Sequence, residues 1–212
     1  MPEDVKGRSG GGRGQARTRL ARRAVVDAAG ALFEEHGYAA TTIDAISARA
    51  DVPAPTVYRL FSSKLGILKA LLDTSIAGDD DAVPVADRPD VAAQFAEKDP
   101  RRMLAGFAAV TTAINRRTNV VYRVLVGAAG SDPAAAQLLG SIQQQRDEGQ
   151  RRIARALARR GAVRTPLRER DAADLIHALM APDVYRLLVV DRGWTPERYE
   201  EWLADTLAQQ LL

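Results

Sequence analysis

The 212-residue sequence predicts an all-α protein in which an N-terminal three-helix unit carrying a helix-turn-helix precedes a larger helical domain. Three observations lead there. From Ala16 onward apolar residues recur at spacings of three and four, the period of a helix that buries one face. Nowhere does a Val/Ile/Thr-rich run bounded by turn residues read as a strand. Between Thr41 and Lys64, "TTIDAISARADVPAPTVYRLFSSK", two short apolar stripes flank a tight turn that carries two prolines.

The elements follow in order. Residues 1–15 are rich in Gly and Arg and lack an apolar face, so a disordered basic tail is expected. The first helix begins at Ala16 with Leu20, Ala24, Ala28, Leu32 and Phe33 on one face, and Gly37 ends it as a left-handed cap. Thr41 and Asp44 have capping-box spacing for a second helix whose inner residues are Ile43, Ile46 and Ala50. Asp51 is a tolerable left-handed turn residue, and Val52 fills the angle that follows. Proline fixes φ and has no N–H, so Pro53 and Pro55 belong in the first turn of a third helix rather than its middle. That helix runs to about Phe61, with Val57 and Phe61 inward and Thr56 and Arg59 outward. Ser63 caps a fourth helix around Ile67, Leu68, Leu71 and Leu72, which completes a domain over residues 17–77.

The second domain spans residues 78–212 and opens with an acidic connector, "GDDDAVPVADRP". A short helix in "DVAAQFAEK" leads to a long one from Pro100 to Gly130, with an expected break near Arg117–Asn119. Its stripe passes through Met103, Leu104, Phe107, Val110, Ile114, Val121, Val124 and Leu125. Asp132 and Pro133 start a polar helix that runs to Arg160 and closes at Gly161. Two more helices are expected, one over residues 168–191 and one from Thr195 to the end.

Composition narrows the chemistry. Cysteine is absent, and no apolar run approaches the roughly 18 residues of a membrane helix, so a cytoplasmic protein without membrane attachment is expected. The net charge of +3 is uneven. Residues 1–75 hold eleven Lys/Arg against eight Asp/Glu, residues 1–25 hold seven against two, and residues 76–212 balance at nineteen of each. Positive charge is concentrated at the end that carries the helix-turn-helix, as contact with a polyanion would require. Only His36 and His177 are histidines, and no carboxylate pair, metal-ligand spacing or phosphate-binding glycine loop appears, so neither an enzyme nor a cofactor or metal site is expected. A helical interaction module that binds anionic membranes or acidic proteins through its basic end is the remaining alternative.

In a helix-turn-helix the second helix enters the major groove and places its first residues on base edges. Here those are Pro53, Ala54, Pro55 and Thr56, small groups suited to a thymine methyl, with one hydroxyl for hydrogen bonding. Tyr58 and Arg59 are placed for phosphates or an outer base. Lys64, in the first turn of the fourth helix, opposes the helix dipole unless an anion such as a DNA phosphate sits beside it. Arg13, Arg17 and Arg19 precede the first helical face as a basic arm that can reach a minor groove.

With "FEEHGY" before it, the segment "TTIDAISARADVPAPTVYRLFSSKLGILKALL" resembles the DNA-binding domain of the tetracycline-repressor (TetR) family over residues 17–77. The resemblance rests on Phe33, Gly37-Tyr38, Thr41-Thr42, Ile46, Ala50, Thr56-Val57-Tyr58, Phe61 and Ser63-Lys64. It implies that Thr42, Tyr58 and Lys64 contact phosphates, that the start of the third helix reads bases, and that the protein is a repressor of a palindromic operator, released by a small-molecule effector. Asp51 departs from the family's usual Gly, and Leu65 from a common acidic residue.

The C-terminal segment "APDVYRLLVVDRGWTPERYEEWLADTLAQQLL" resembles one branch of the same family, in which the last two long helices form a homodimer bundle. Tyr199, Trp202, Leu203 and Leu207 form a stripe on the final helix, expected to meet a partner together with Leu175, Leu179 and Leu188. Packing of that stripe within its own protomer is the alternative. The resemblance also implies an effector pocket among the middle helices, where Met103, Phe107, Tyr122, Arg123, His177 and Met180 combine apolar bulk with polar groups. A plain core with one buried histidine fits the same residues.

Overall fold

The computed structural model describes residues 10–78 and 88–212 and is all-helical among them. The chain divides into two compact units, Met1–Leu71 and Leu72–Leu212.

In the first unit, α1 (Gly10–Ala40) packs on α2 (Ile43–Ala50) and α3 (Ala54–Phe61), and α4 (Lys64–Ala77) follows. Helix α1 starts earlier than expected: residues 10–15, assigned to the tail, are helical, while residues 1–9 lie outside the described residues. Extending a formed helix costs far less than nucleating one, which lets even this Gly-rich stretch continue it. Leu20 is 70 % exposed and not part of the inner face; Ala28, Leu32 and Phe33 are buried as expected, and Val25 and Ala29 join them. At Gly37 the helix breaks with φ 75° and ψ 171°, a region open in practice to glycine alone.

The cap of α2 also differs from the expectation. Thr42 is the N-cap and accepts from the Ala45 N–H at 3.1 Å, whereas the Thr41 hydroxyl is buried and donates to Gly37 O at 2.8 Å and Leu32 O at 3.2 Å. Thr41 therefore ties down the end of α1, leaving its neighbour to start α2. Asp51 adopts the left-handed conformation (φ 51°, ψ 41°), and the Ser47 hydroxyl donates to Val52 O to close the turn. Pro53 is the N-cap of α3 with Pro55 in its first turn. Ser63 caps α4 by accepting from Gly66 N–H at 3.0 Å. Gly66 has no substitute there, because a Cβ would lie 2.0 Å from Phe61 O.

The second unit holds α5 (Pro89–Ala96), α6 (Pro100–Ala129), α7 (Pro133–Arg159), α8 (Glu169–Leu179), α9 (Pro182–Tyr185) and α10 (Pro196–Leu211). Helices α6 and α7 start on Asp99 and Asp132, each accepting from backbone N–H groups of the first turn. Helix α6 is continuous through residues 117–119, where a break was expected; the Thr118 hydroxyl bonds back to Ile114 O within the helix. The helix expected over 168–191 is interrupted instead. Pro182 has no N–H to give and forces Ala181 into an extended conformation (φ −66°, ψ 139°), and α9 then widens into a π-helical turn over Arg186–Val190. The core of this unit joins Met103, Leu104 and Phe107 of α6 to Leu157 of α7, Ile176 of α8, and Tyr199, Leu203 and Leu207 of α10.

Candidate functional site

The first unit presents α3 as a short helix with one anchored face. Val57 (0 %) and Phe61 (7 %) are buried, while Pro53, Pro55, Tyr58 and Arg59 are exposed and Ala54 and Thr56 half-exposed. Tyr58 is 52 % exposed, unusual for a large aromatic without a partner surface. The C-terminal end of α3 is held by Arg22, a residue the sequence did not single out. Its guanidinium lies 4.6 Å above the Phe61 ring and donates to Leu60 O at 2.9 Å. Glu35 and Arg49, 2.7 Å apart, join α1 to α2, and this hydrogen bond lowers the Glu35 carboxyl below its ordinary range. The elements that present α3 are thus fixed by short-range bonds, and Thr42, also exposed, heads the neighbouring helix.

Two of the expected contacts stand differently. Lys64 does not face outward with an unengaged ammonium. Its Nζ donates to Tyr38 O at 2.6 Å and Thr41 O at 2.7 Å, lies 3.5 Å from Ala39 O, and sits 4.3 Å over the Tyr38 ring. These are the carbonyls that α1 leaves unpaired as it ends, and a cation is the complement of such a terminus. Lys64 therefore holds the loop that delivers Thr42. Arg17 and Arg19 are exposed, but on helix α1 rather than on an extended arm.

The second unit holds a cleft of about 820 Å³ between α6 and α7, open to solvent on one side and lined also by α5, the last turns of α4 and the segment around Pro182. Of the six residues expected there, Phe107, Tyr122 and Met180 line it. Met103 is fully buried in the core behind it, and Arg123 is exposed on the opposite face of α6. His177 does not line it either, but its Nδ1 lies 2.7 Å from Oε1 of Gln150, which does.

Apart from Tyr122, the polar lining was not foreseen. Thr111, Asn115, Thr118 and Tyr122 all line the cavity from α6, and all are buried. Arg146 and Gln150 line it from α7. Burial pulls the Arg146 pKa down, partly offset by Tyr122 and Asp183. The Asn115 amide and the hydroxyl of Tyr199 are each other's polar neighbours, but neither Asn115 Nδ2 nor the hydroxyl has a partner at good hydrogen-bond geometry. Burial pushes the Tyr199 phenol up to about 12, against a downward pull from the Asn115 amide.

The final helix corrects the expected interface. Tyr199, Leu203 and Leu207 are wholly buried (0 %) in the core of their own protomer, with α6 as the main neighbour of α10. Leu175, Leu179, Leu188 and Trp202 are half-buried at its edge. Trp202 stacks edge-on against Trp194, whose ring lies under Arg198, and Trp194 N–H donates to Leu188 O at 3.0 Å. Beside them, Leu187 (48 %) and Val190 (46 %) are exposed on the π-helical turn.

Comparison with known proteins agrees with this geometry. Residues 25–71 match the family model described as bacterial regulatory proteins, tetR family. The chain is 26 % identical over 178 residues to the HTH-type transcriptional regulator YdeS of Bacillus subtilis, spanning 84 % of this chain and 83 % of that one. Among solved structures, a bacterial regulatory protein in the tetR family from Rhodococcus RHA1 superimposes with a TM-score of 0.69 at 21 % identity, covering 90 % of this chain and 96 % of that one. NalD of Pseudomonas aeruginosa, the secondary repressor of the MexAB-OprM multidrug efflux pump, gives a TM-score of 0.69 at 17 % identity over 92 % and 98 % of the two chains. Among the described residues no helix is long and apolar enough to cross a membrane.

Proposed function

We propose that this chain, whose residues 25–71 match the tetR family of bacterial regulatory proteins, is a DNA-binding transcriptional regulator of that family and acts as a homodimeric repressor of a two-fold symmetric operator. A small molecule in the α6–α7 cavity releases it. The observation that carries the DNA contact is α3, anchored by Val57 and Phe61 and open along Pro53, Pro55, Tyr58 and Arg59. Its first turn meets base edges through Ala54 and Thr56, while Tyr58 and Thr42 donate to phosphates and Arg59 lies near the backbone. Arg17 and Arg19 add long-range attraction from α1. The dimer surface shifts, relative to the stripe on α10, to the apolar patch of Leu187, Leu188, Val190 and the Trp194–Trp202 pair, with Leu175 and Leu179 beside it.

The test pairs two variants. Thr56→Ala should weaken operator binding by roughly 1–3 kcal/mol and leave random-sequence DNA unaffected; equal losses on both would remove Thr56 from base reading. Leu187→Glu with Val190→Glu should give monomers by light scattering and abolish operator binding, and a dimer that survives both changes would place the interface elsewhere.

A further inference from the structure

Along α6 the inner stripe changes character partway. Met103, Leu104, Phe107 and Ala108 are an ordinary apolar face, but the next positions of the same face are Thr111, Asn115, Thr118 and Tyr122, at steps of four, three and four. All four line the cavity, and none is more than 8 % exposed. A face of this kind is normally apolar, since a buried polar group without a partner costs free energy. Thr118 satisfies itself on Ile114 O, yet Asn115 Nδ2 has no partner at good geometry, with the Tyr199 hydroxyl as its polar neighbour. Helix α7 runs back along α6 after the short turn at residues 130–132 and sets Arg146 beside Tyr122. Arg146 is the half-buried cation of the cavity wall; Arg152 also lines the cavity but is exposed, over the ring of Phe95.

The protein partners of Arg146 do not neutralise it at contact distance. They are Met180 O at 3.4 Å, the Tyr122 hydroxyl, and the more distant charge of Asp183. A guanidinium keeps its charge in such a setting and presents several donors in a fixed plane, the complement of a carboxylate. Two further acids line the cavity, Asp73 and Glu148, but both are exposed, and Glu148 accepts from Gln144 Nε2 at 3.1 Å. From Tyr122 the lining runs towards Phe107, fifteen residues of helix and thus about 22 Å, and the walls at that end are Phe107, Val110, Phe95 and Ile153.

We propose that the cavity takes an extended amphipathic monoanion, an acid head on Arg146 and Tyr122 with an apolar chain running towards Phe95 and Phe107. This assignment rests on the reading of the cavity as the effector site and names the chemical class of the effector. Its shape and its charge are separate arguments for it. An 820 Å³ space with one long apolar wall accommodates a chain, and a half-buried arginine at one end selects the sign of the head.

Calorimetric titration of the full-length protein with dodecanoate, dodecanol and dodecyltrimethylammonium, all as monomers below micelle formation, tests it. Dodecanoate should bind at least about tenfold more tightly than dodecanol, and the ammonium amphiphile more weakly than either. Arg146→Met should abolish the preference for the acid while keeping dodecanol binding, and Arg146→Lys should retain most of it, which separates head-group recognition from collapse of the site. Equal or better binding of the cation, no binding of dodecanoate at millimolar concentration, or an acid preference intact in Arg146→Met would each overturn the assignment. Operator release is read in parallel. Release by the cationic amphiphile would leave the effector-responsive reading standing and sink the anion, whereas Arg146-dependent dodecanoate binding without release would do the reverse.

Discussion

Replacing Lys64 with methionine separates two roles that a lysine in this position can have. Its ammonium makes two short bonds, to Tyr38 O and Thr41 O, and lies over the Tyr38 ring. Charge-assisted bonds of this kind contribute about 1.5–3 kcal/mol each when well shielded, but the site is half-exposed and water can replace the ammonium at both carbonyls. The net loss expected for Lys64→Met is therefore about 1–3 kcal/mol, seen by far-UV circular dichroism during urea unfolding. Operator affinity should also fall, because the loop delivering Thr42 loosens. The salt dependence should not change: Thr42 and Tyr58 are neutral donors and release no counterion when their contacts weaken. A lysine that held a phosphate would give the opposite pair of results, unaltered stability and a slope of log K against log salt shallower by about 0.9. That outcome would refute the clamp and return Lys64 to the DNA surface.

Two further outcomes follow from single residues. Asp51→Gly should stabilise the first unit by about 0.5–1 kcal/mol, since Asp51 is held at φ 51°, where a side chain is strained and glycine is not; a loss in thermal or urea unfolding would show that the carboxylate has a partner worth more than the strain. Tyr199→Phe should be close to neutral or stabilising at pH 7, because it removes a buried hydroxyl whose polar neighbour, the Asn115 amide, is not at good hydrogen-bond geometry. It should also flatten the alkaline limb of stability. With the folded phenol raised to about 12, the unfolded chain loses that proton first, near its ordinary value of 10, so stability falls as pH rises between the two and is fully present below 10. A wild-type and a Phe variant with parallel stability profiles across that window would contradict the raised value.

The DNA-binding half was legible because its elements are short and their ends carry specific chemistry. Two prolines, a left-handed turn residue and a capping serine fix where α3 and α4 begin, and each stands where it was expected. Thr41 and Thr42 exchanged roles because adjacent hydroxyls offer the same cap, and only the buried carbonyls of Leu32 and Gly37 decide which turns inward. In the second unit, periodicity showed which face of a helix is buried but not what covers it. The stripe on α10 was therefore as consistent with α6 as with a second subunit. Arg123 looked inward beside Val121, Tyr122 and Val124, although the phase set by Leu104, Phe107, Ala108 and Leu125 places it outside. Arg146, inside the polar run "QQQRDEGQ", looked solvated, and its position depends on the pairing of α7 with α6, which one sequence does not reveal.

On the proposed reading of the cavity as an effector site, the wall contributed by α4 is where occupancy would be felt within the second unit. Leu72, Asp73, Ile76 and Ala77 line the cavity, and the carbonyls at the end of that helix are held from elsewhere. Arg117 of α6 donates through Nε to Ser75 O and through Nη2 to Ile76 O, both at 3.0 Å, and Arg88 donates to Ala77 O at 2.8 Å. Gly78 makes room for this arrangement: its φ is 76°, and a Cβ there would stand 2.8 Å from the Arg117 guanidinium. Arg117 lies on the same helix as the polar stripe, one residue before Thr118. A ligand that pulls on Asn115, Thr118 or Tyr122 therefore acts on the helix that grips the last turn of α4, and a ligand that fills the space beside Ile76 presses on that turn directly. Both would act on the same turn of α4, so on that reading the carbonyl grip of Arg117 is where a ligand's pull would be felt. Arg117→Lys should then blunt effector release in an operator-binding assay while leaving operator affinity without effector unchanged; undiminished release would remove Arg117 from the coupling.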